Sequence, residues 1–350
     1  LISIKLPNNP LIELHLLPLK TAKENYSIQK KLLAVVISLF IIKVIAWYLT
    51  HSVAVLTDAL EYTINVVSGL IGLYSLYLSS QPRDHNHPYG HGKVEFLSAA
   101  VEGSLMLASS FFIIYQAIIN LEHPHQISHL DNGIYLVAFT ALINYGVGAY
   151  SVKKGKENHS MALVATGKHM QSDTYATIGV IAGLILIFFT ELAWIDSAVA
   201  FLFALLVIFS GYKILRSSIA GIMDEADDEL LKKLVTLLQA SRVENWIDMH
   251  NLRIIKYGDT LHLDCHLTVP WYLNVREAHK EIDTLYKVVR ATFSESIELF
   301  VHTDDCLEFS CKICTKQDCP VRVHPFEKKI EWTVQNISSD HKHRVDQQAL

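Results

Sequence analysis

The stretch "DHNHPYGHGK", residues 84–93, crowds Asp84, His87 and His91 into eight positions between two long apolar runs. Carboxylate and imidazole are the ordinary ligands of divalent transition metals, so the loop is either a metal site or a solvated histidine-rich turn. The apolar runs carry the same chemistry. "VLTDALEYTINVV" places Asp58, Glu61 and Asn65 three and four residues apart, on one face of a helix. "ATGKHMQSDTYATIG" places His169 and Asp173 four apart. Two such pairs on two helices, Glu61 with Asn65 and His169 with Asp173, can bring four oxygen and nitrogen ligands around one four-coordinate cation. The bland alternative is a network of hydrogen-bonded packing residues. A further group, Cys306, Cys311, Cys314 and Cys319, reads C-x4-C-x2-C-x4-C. Four thiolates with a tight central CxxC can close a tetrahedral zinc shell; an iron–sulfur cluster or free thiols are the alternatives.

These residues need elements to hold them. The chain has 350 residues, 51% hydrophobic and 19% charged, with a mean hydropathy of +0.26. That balance points to a membrane protein. Up to about Leu215 the sequence is a string of apolar runs; from Asp224 it has ordinary soluble composition. Six segments reach the roughly 20 residues that a bilayer core demands, near 31–50, 53–79, 95–120, 132–152, 161–188 and 193–215. Loops at 51–52, 121–131 and 189–192 contain no Lys or Arg, whereas the alternate ones carry Lys20, Lys23, Lys30, Lys31, Arg83, Lys93, Lys153, Lys154 and Lys156. Lys213 and Arg216 follow the same rule at the end of the last span. The positive-inside rule then puts both termini and the histidine loop in the cytoplasm.

Ionisable groups within spans are costly and usually functional. Lys43 reads as structural, and Glu102 and Asn144 are expected to satisfy each other or nearby backbone. Asp58 is a substitute ligand nearer the outer surface. The first 27 residues are broken by prolines and charges, so no cleavable signal peptide is expected. Because the chain opens on Leu rather than Met, a short preceding piece is expected. Nothing basic and aromatic interleaves as in nucleic-acid binders, and clustered cysteines suit a reducing compartment.

Residues 225–305 read as helix, strand, strand, helix, strand, a small α+β sandwich. His262 reads as strand-face, and Cys265, pointing opposite to His266, as core. Residues after about 326 are polar and read as a terminal helix or disordered tail.

In order and spacing, "IKVIAWYLTHSVAVLTDALEYTINVVSGL", "QPRDHNHPYGHGKVE" and the span-five "HxxxD" resemble the cation diffusion facilitator family over about residues 25–306. The resemblance implies an α-helical membrane protein with six transmembrane helices and a small cytoplasmic ferredoxin-like, metallochaperone-like domain. It implies a homodimeric exporter that trades a divalent metal for protons, with Glu61, Asn65, His169 and Asp173 as transport site and Asp84, His87 and His91 as loop site. His250, His266, His279, His302 and Asp304 fall at the family's cytoplasmic binuclear positions. The family's span-two pair is commonly Asp/Asp or His/Asp; Glu/Asn here removes one charge and one protonatable group. One nitrogen and three oxygen ligands make a hard set, so iron(II) or manganese(II) joins zinc as a substrate.

The expected organisation is a cytoplasmic segment at 1–27, a transport domain at 28–221, a sensing and dimerisation domain at 222–305, and a Cys-rich knuckle with polar tail at 306–350. A plasma or inner membrane is the default. Lys93 is expected to pair with an acid such as Asp224. Two other classes stand beside the exporter. An intramembrane metallohydrolase would need an HExxH or its equivalent, which is missing; a metal receptor or partner subunit with a decayed membrane site would follow from Glu61/Asn65.

Overall fold

The computed structural model describes residues 17–50, 53–122, 131–190, 194–257, 260–293 and 297–345. The described residues form two compact units, one from Leu19 to Met223 and one from Asp224 onward.

The first unit is helical: α1 (Leu17–Thr50), α2 (Val53–Ser79), α3 (Val94–Glu122), α4 (Asp131–Glu157), α5 (Met161–Thr190) and α6 (Trp194–Ile222). The shortest have 27 residues, or about 40 Å at 1.5 Å per residue, more than a bilayer core. Among the described residues, Val94–Ile119 and Ala200–Ile222 are also apolar enough to cross a membrane by length and composition. The helices leave large apolar side chains outside, including Ile45, Leu70, Phe111, Leu142, Leu206 and Phe209. In water such a belt would be a liability; in lipid it is the expected surface. Helix α1 begins at Leu17, well before the expected span start at 31. Ile28 and Leu32 are buried against Leu76, Ala162 and Leu163.

Glycines let pairs of helices close. A Cβ at Gly167 in α5 would stand 2.6 Å from the Gly148 carbonyl oxygen and 2.7 Å from the Val152 nitrogen in α4. Gly103 of α3 lies close to α6, where a Cβ would meet Gly211 O and Leu215 N at 3.0 Å. Small residues at such crossings permit the van der Waals contact that holds helices together where hydrophobic burial offers little.

The second unit runs α7 (Asp228–Ala240), β1 (Asp248–Tyr257), β2 (Thr260–Val269), α8 (Val275–Phe293) and β3 (Ile297–Asp305). Asp227 caps α7, accepting from Leu230 N at 3.0 Å, and Leu231, Leu234, Val235 and Leu238 bury one face at helical spacing. Asn274 and Glu277 cap α8 reciprocally, each backbone N–H donating to the other side chain at 3.0 Å. The sheet order is β1-β2-β3, antiparallel then parallel. The "GD" turn at 258–259 lies outside the described residues.

Beyond β3 come a 3-10 turn, Glu308–Lys312, and a one-turn helix α9, Val334–Ile337. The expected terminal helix is thus only one turn long, and the residues around it are packed rather than loose. Trp332 and Ile337 are buried in the same core as Leu234, Met249, Leu263 and Leu285. Val334 packs against the same core, and Ile330 against a smaller one, so a few apolar residues dock a polar stretch.

Candidate metal centres

Inside the helical unit a cavity is lined by Gln29, Tyr62, Asn65, Glu102, Asn144, Thr166, His169 and Asp173 among apolar neighbours. Helix α5 supplies His169 and Asp173 one turn apart; His169 Nε2 is 3.7 Å from Asp173 Oδ1. Helix α2 supplies Asn65, whose Nδ2 donates to Asp173 Oδ2 at 2.7 Å. To offer a metal its oxygen, that amide must turn over. Three of the four expected transport ligands therefore meet. The side chains of Glu61 and Asp58 lie outside the described residues.

Glu102 corrects an expectation. It does not pair with Asn144 but faces His169, with its Oε1 3.1 Å from Nδ1, and accepts from Thr166 Oγ1 at 3.1 Å. A carboxylate on the far ring nitrogen fixes the tautomer and presents Nε2 to the site, the arrangement that backs metal-binding imidazoles in general. Asn144 instead donates to the Tyr62 hydroxyl, and Lys43 is buried with Nζ 3.8 Å from the Tyr62 ring centroid. The signal for Glu102 was its charge at midspan in α3; the partner 67 residues away was not readable.

The loop brings its three residues together. Among the described residues, Asp84, His87 and His91 form one of two groups whose ligand atoms lie mutually within 4.8 Å. His87 Nδ1 is 3.0 Å from Asp84 Oδ1, and His91 Nε2 is 3.5 Å from Asp84 Oδ2. The His87 backbone N–H donates to Asp84 at 2.7 Å and, with the two imidazoles, holds this carboxyl below its ordinary value. Lys93 donates to the Ile222 carbonyl at 3.4 Å, at the end of α6.

The other group is His250, His266 and Asp304. Sheet register builds it: His250 lies opposite His266, and His266 opposite His302, so three imidazoles form a row across three strands. Asp304, two residues past His302, shares their face. Its Oδ2 is 3.3 Å from His250 Nε2 and 3.4 Å from His266 Nδ1, and its Oδ1 is 3.4 Å from His302 Nε2. His279 stands apart on α8, exposed and 3.8 Å from Asp283, though it lines the same cleft as Asp304.

A residue missed by sequence reasoning backs this group too. Asp248 is buried, 3.6 Å from His250 Nδ1, and His343 donates to it from its backbone at 2.9 Å. Burial pushes the Asp248 carboxyl up, but His250 and His343 outweigh it and hold the group at about 2. Its position two before His250 in a strand, hence on the same face, was the available signal. His262 is buried beside Glu298 at 3.3 Å. Cys265 is buried, which pushes its thiol up to about 12.

The four cysteines of the knuckle line one pocket with Ile247, Pro270, Ser310, Lys316 and Arg322. They are not among the groups whose ligand atoms approach within 4.8 Å.

Comparison with known proteins decides the family. The model of the cation efflux transmembrane domain matches residues 32–223, and that of the cation efflux protein cytoplasmic domain matches 226–306. This chain belongs to the cation efflux family, the cation diffusion facilitators. An uncharacterized transporter of Synechocystis is 29% identical over 238 residues, 68% of this chain and 77% of the relative. The manganese efflux system protein MneP of Bacillus subtilis is 25% identical over 303 residues, 82% of this chain and 99% of the relative. The cadmium, cobalt and zinc/H(+)-K(+) antiporter of the same organism is 26% identical over 241 residues, 68% and 76%. As a cation efflux protein the chain has a transmembrane domain followed by a cytoplasmic domain, and its activity is metal cation efflux. The cysteine knuckle, from Cys311 on, lies beyond both matched regions.

Proposed function

We propose that this cation efflux protein carries a divalent transition metal, zinc foremost with iron(II) and manganese(II) as further substrates, out of the cytoplasm in exchange for protons. One observation carries the reading: His169 lies between two carboxylates, Glu102 and Asp173, at a cavity of the helical unit. With Nδ1–H donated to Glu102, the Nε2 lone pair would face the negative Asp173. That arrangement needs a cation in between, and a proton or a metal ion can supply it. The two compete for one place, which is the elementary requirement of an antiporter. Asp173, His169, Asn65 and Glu61 would hold the metal; Glu102 would hold His169.

On this reading α1 to α6 all cross the membrane, and the alternating basic loops put both termini, the 84–93 loop and the second unit in the cytoplasm, at a plasma or inner membrane. The order helix, strand, strand, helix, strand supports a ferredoxin-like, metallochaperone-like domain at 222–305, after a transport domain at 28–221 and a cytoplasmic segment at 1–27. That domain would join a homodimer and sense metal through His250, His266, His302 and Asp304, with His279 completing the set. Asp84, His87 and His91 would hold a loop ion. The relatives named for manganese and for cadmium, cobalt and zinc support the substrate class. The function is transport rather than enzymatic.

A second reading, a metal receptor or partner subunit that does not transport, has its own observation. The Asn65 amide already satisfies Asp173 at 2.7 Å, and an amide cannot take up a proton. Proteoliposomes holding only this protein separate the two. Under a pH gradient, uptake of zinc, iron(II) and manganese(II) is expected, reduced at least about a hundredfold in Asp173→Ala, since a charged ligand lining the cavity is lost. Metal binding without flux in the intact protein would favour the receptor.

A further inference from the structure

We infer that Cys306, Cys311, Cys314 and Cys319 form a tetrathiolate site for Zn(II) or a similarly soft divalent ion, distinct from the transport and sensor sites, and that its occupant fastens the C-terminal extension onto the cytoplasmic domain. The four residues come from the end of β3, the 3-10 turn and the loop after it, yet all line one pocket. None of them is in a disulfide. Four sulfurs around one pocket, with no disulfide between them, are the donor set of a tetrahedral zinc shell.

The surroundings are built for a fixed loop carrying negative charge. The Arg322 guanidinium donates to the carbonyls of Cys311 at 2.8 Å, Cys314 at 3.1 Å and Lys316 at 2.5 Å, tying the loop into a ring around the pocket. Ile313 and Cys314 are buried with Ile247 in a small core of their own. Four thiolates around Zn(II) leave a net charge of −2. Arg322 and Lys316 line the pocket, and the half-buried Arg242 donates to the carbonyl of Ile247, which also lines it, and to that of Ile330. Closing the shell needs sulfurs about 3.8 Å apart, given Zn–S bonds of about 2.3 Å. Side-chain rotations on a braced backbone are the movement required. On loading, each thiol that binds gives its proton to solvent.

The consequence lies downstream. From Cys319 the chain returns to the domain it left. Glu327 N donates to Lys312 O at 2.8 Å, Trp332 and Ile337 enter the main core, and Asn251 N donates to Ser339 O at 2.6 Å. His343 then reaches Asp248, and Lys342 Nζ comes within 3.9 Å of Asp304. A thiolate staple at the start of this path would hold the outer partners of the histidine row in place.

The test uses full-length protein, reduced and anaerobic in detergent, with Co(II) as the probe ion and Zn(II) as competitor. A thiolate-to-cobalt charge-transfer band is expected in the intact protein, lost on adding Zn(II) and lost in Cys311→Ser and Cys314→Ser. It should persist in Asp173→Ala and in the pair His250→Ala/Asp304→Ala, so it stands or falls apart from the transport reading. Should the serine variants fail to fold, alkylation of the intact protein decides instead: Zn(II) should protect four thiols. Protease should cleave the extension about tenfold or more faster once the ion is stripped, as expected when docking loses its staple. Four freely alkylated thiols at saturating metal, or iron with acid-labile sulfide in the site, would overturn the proposal.

Discussion

Among the described residues, His169 and His250 each face a buried carboxylate that the ligand pattern did not reveal. Glu102 faces His169 Nδ1 at 3.1 Å, and Asp248 faces His250 Nδ1 at 3.6 Å. Such a partner orients the ring, and its loss typically costs 10- to 100-fold in metal affinity or activity. Glu102→Gln should therefore reduce proton-driven metal uptake about 10- to 100-fold and move its pH profile, because one of the two charges flanking the imidazole is gone. Uptake measured across pH against Glu102→Asp would show it; an unchanged profile would make Glu102 a packing residue. Asp248 makes a separate prediction about stability. Its folded carboxyl titrates at about 2, below the ordinary value near 4. Its contribution is therefore full above about pH 4 and lost as pH falls through about 2, roughly 2–3 kcal/mol in all. Melts of residues 224–350 between pH 2 and 5 should show that loss, and Asp248→Asn should flatten it at lower overall stability.

At the scale of elements, the transport ligands depend on how closely α4 and α5 approach. Gly148 and Gly167 leave no room for a methyl group, and His169 and Asp173 follow Gly167 within two turns. Gly167→Val should push α5 away from α4, destabilise the unit by about 1–3 kcal/mol, and lower transport without removing any ligand. Thermal stability in detergent beside vesicle uptake checks both halves. The sheet shows how far elements were legible. Alternation and turn signals gave the succession helix, strand, strand, helix, strand over 225–305, which the structure has. Register was not in that pattern. The row His250, His266, His302 exists because β1 and β2 pair with those residues opposite and β3 joins in parallel with the same alignment. A slip of one residue would have turned an imidazole to the other face. Long-range packing shows in helix α1 too, where Ile28 and Leu32 bury against residues far along the chain.

For the whole molecule, each unit has its own core, and the two matched domains follow the same division, 32–223 and 226–306. If the histidine row senses metal, His250→Ala/Asp304→Ala should keep uptake at saturating metal but lose activation at low metal, raising the half-saturating concentration about tenfold, a coupling of about 1.4 kcal/mol. Equal uptake curves would remove the sensor role. By itself the sequence determined the two compositions, the apolar runs, the strand order and the ligand types, because each depends on residues near one another in the chain. Cys265 in the core and the Asp84, His87 and His91 cluster were legible for that reason. Tertiary structure alone decided that Glu102 turns to His169 and not Asn144, that Asp248 stands behind His250, and that Trp332 and Ile337 dock a polar tail. These contacts join residues tens of positions apart, and a buried polar group takes whichever partner packing brings within reach, since leaving it unpaired costs more than any local preference.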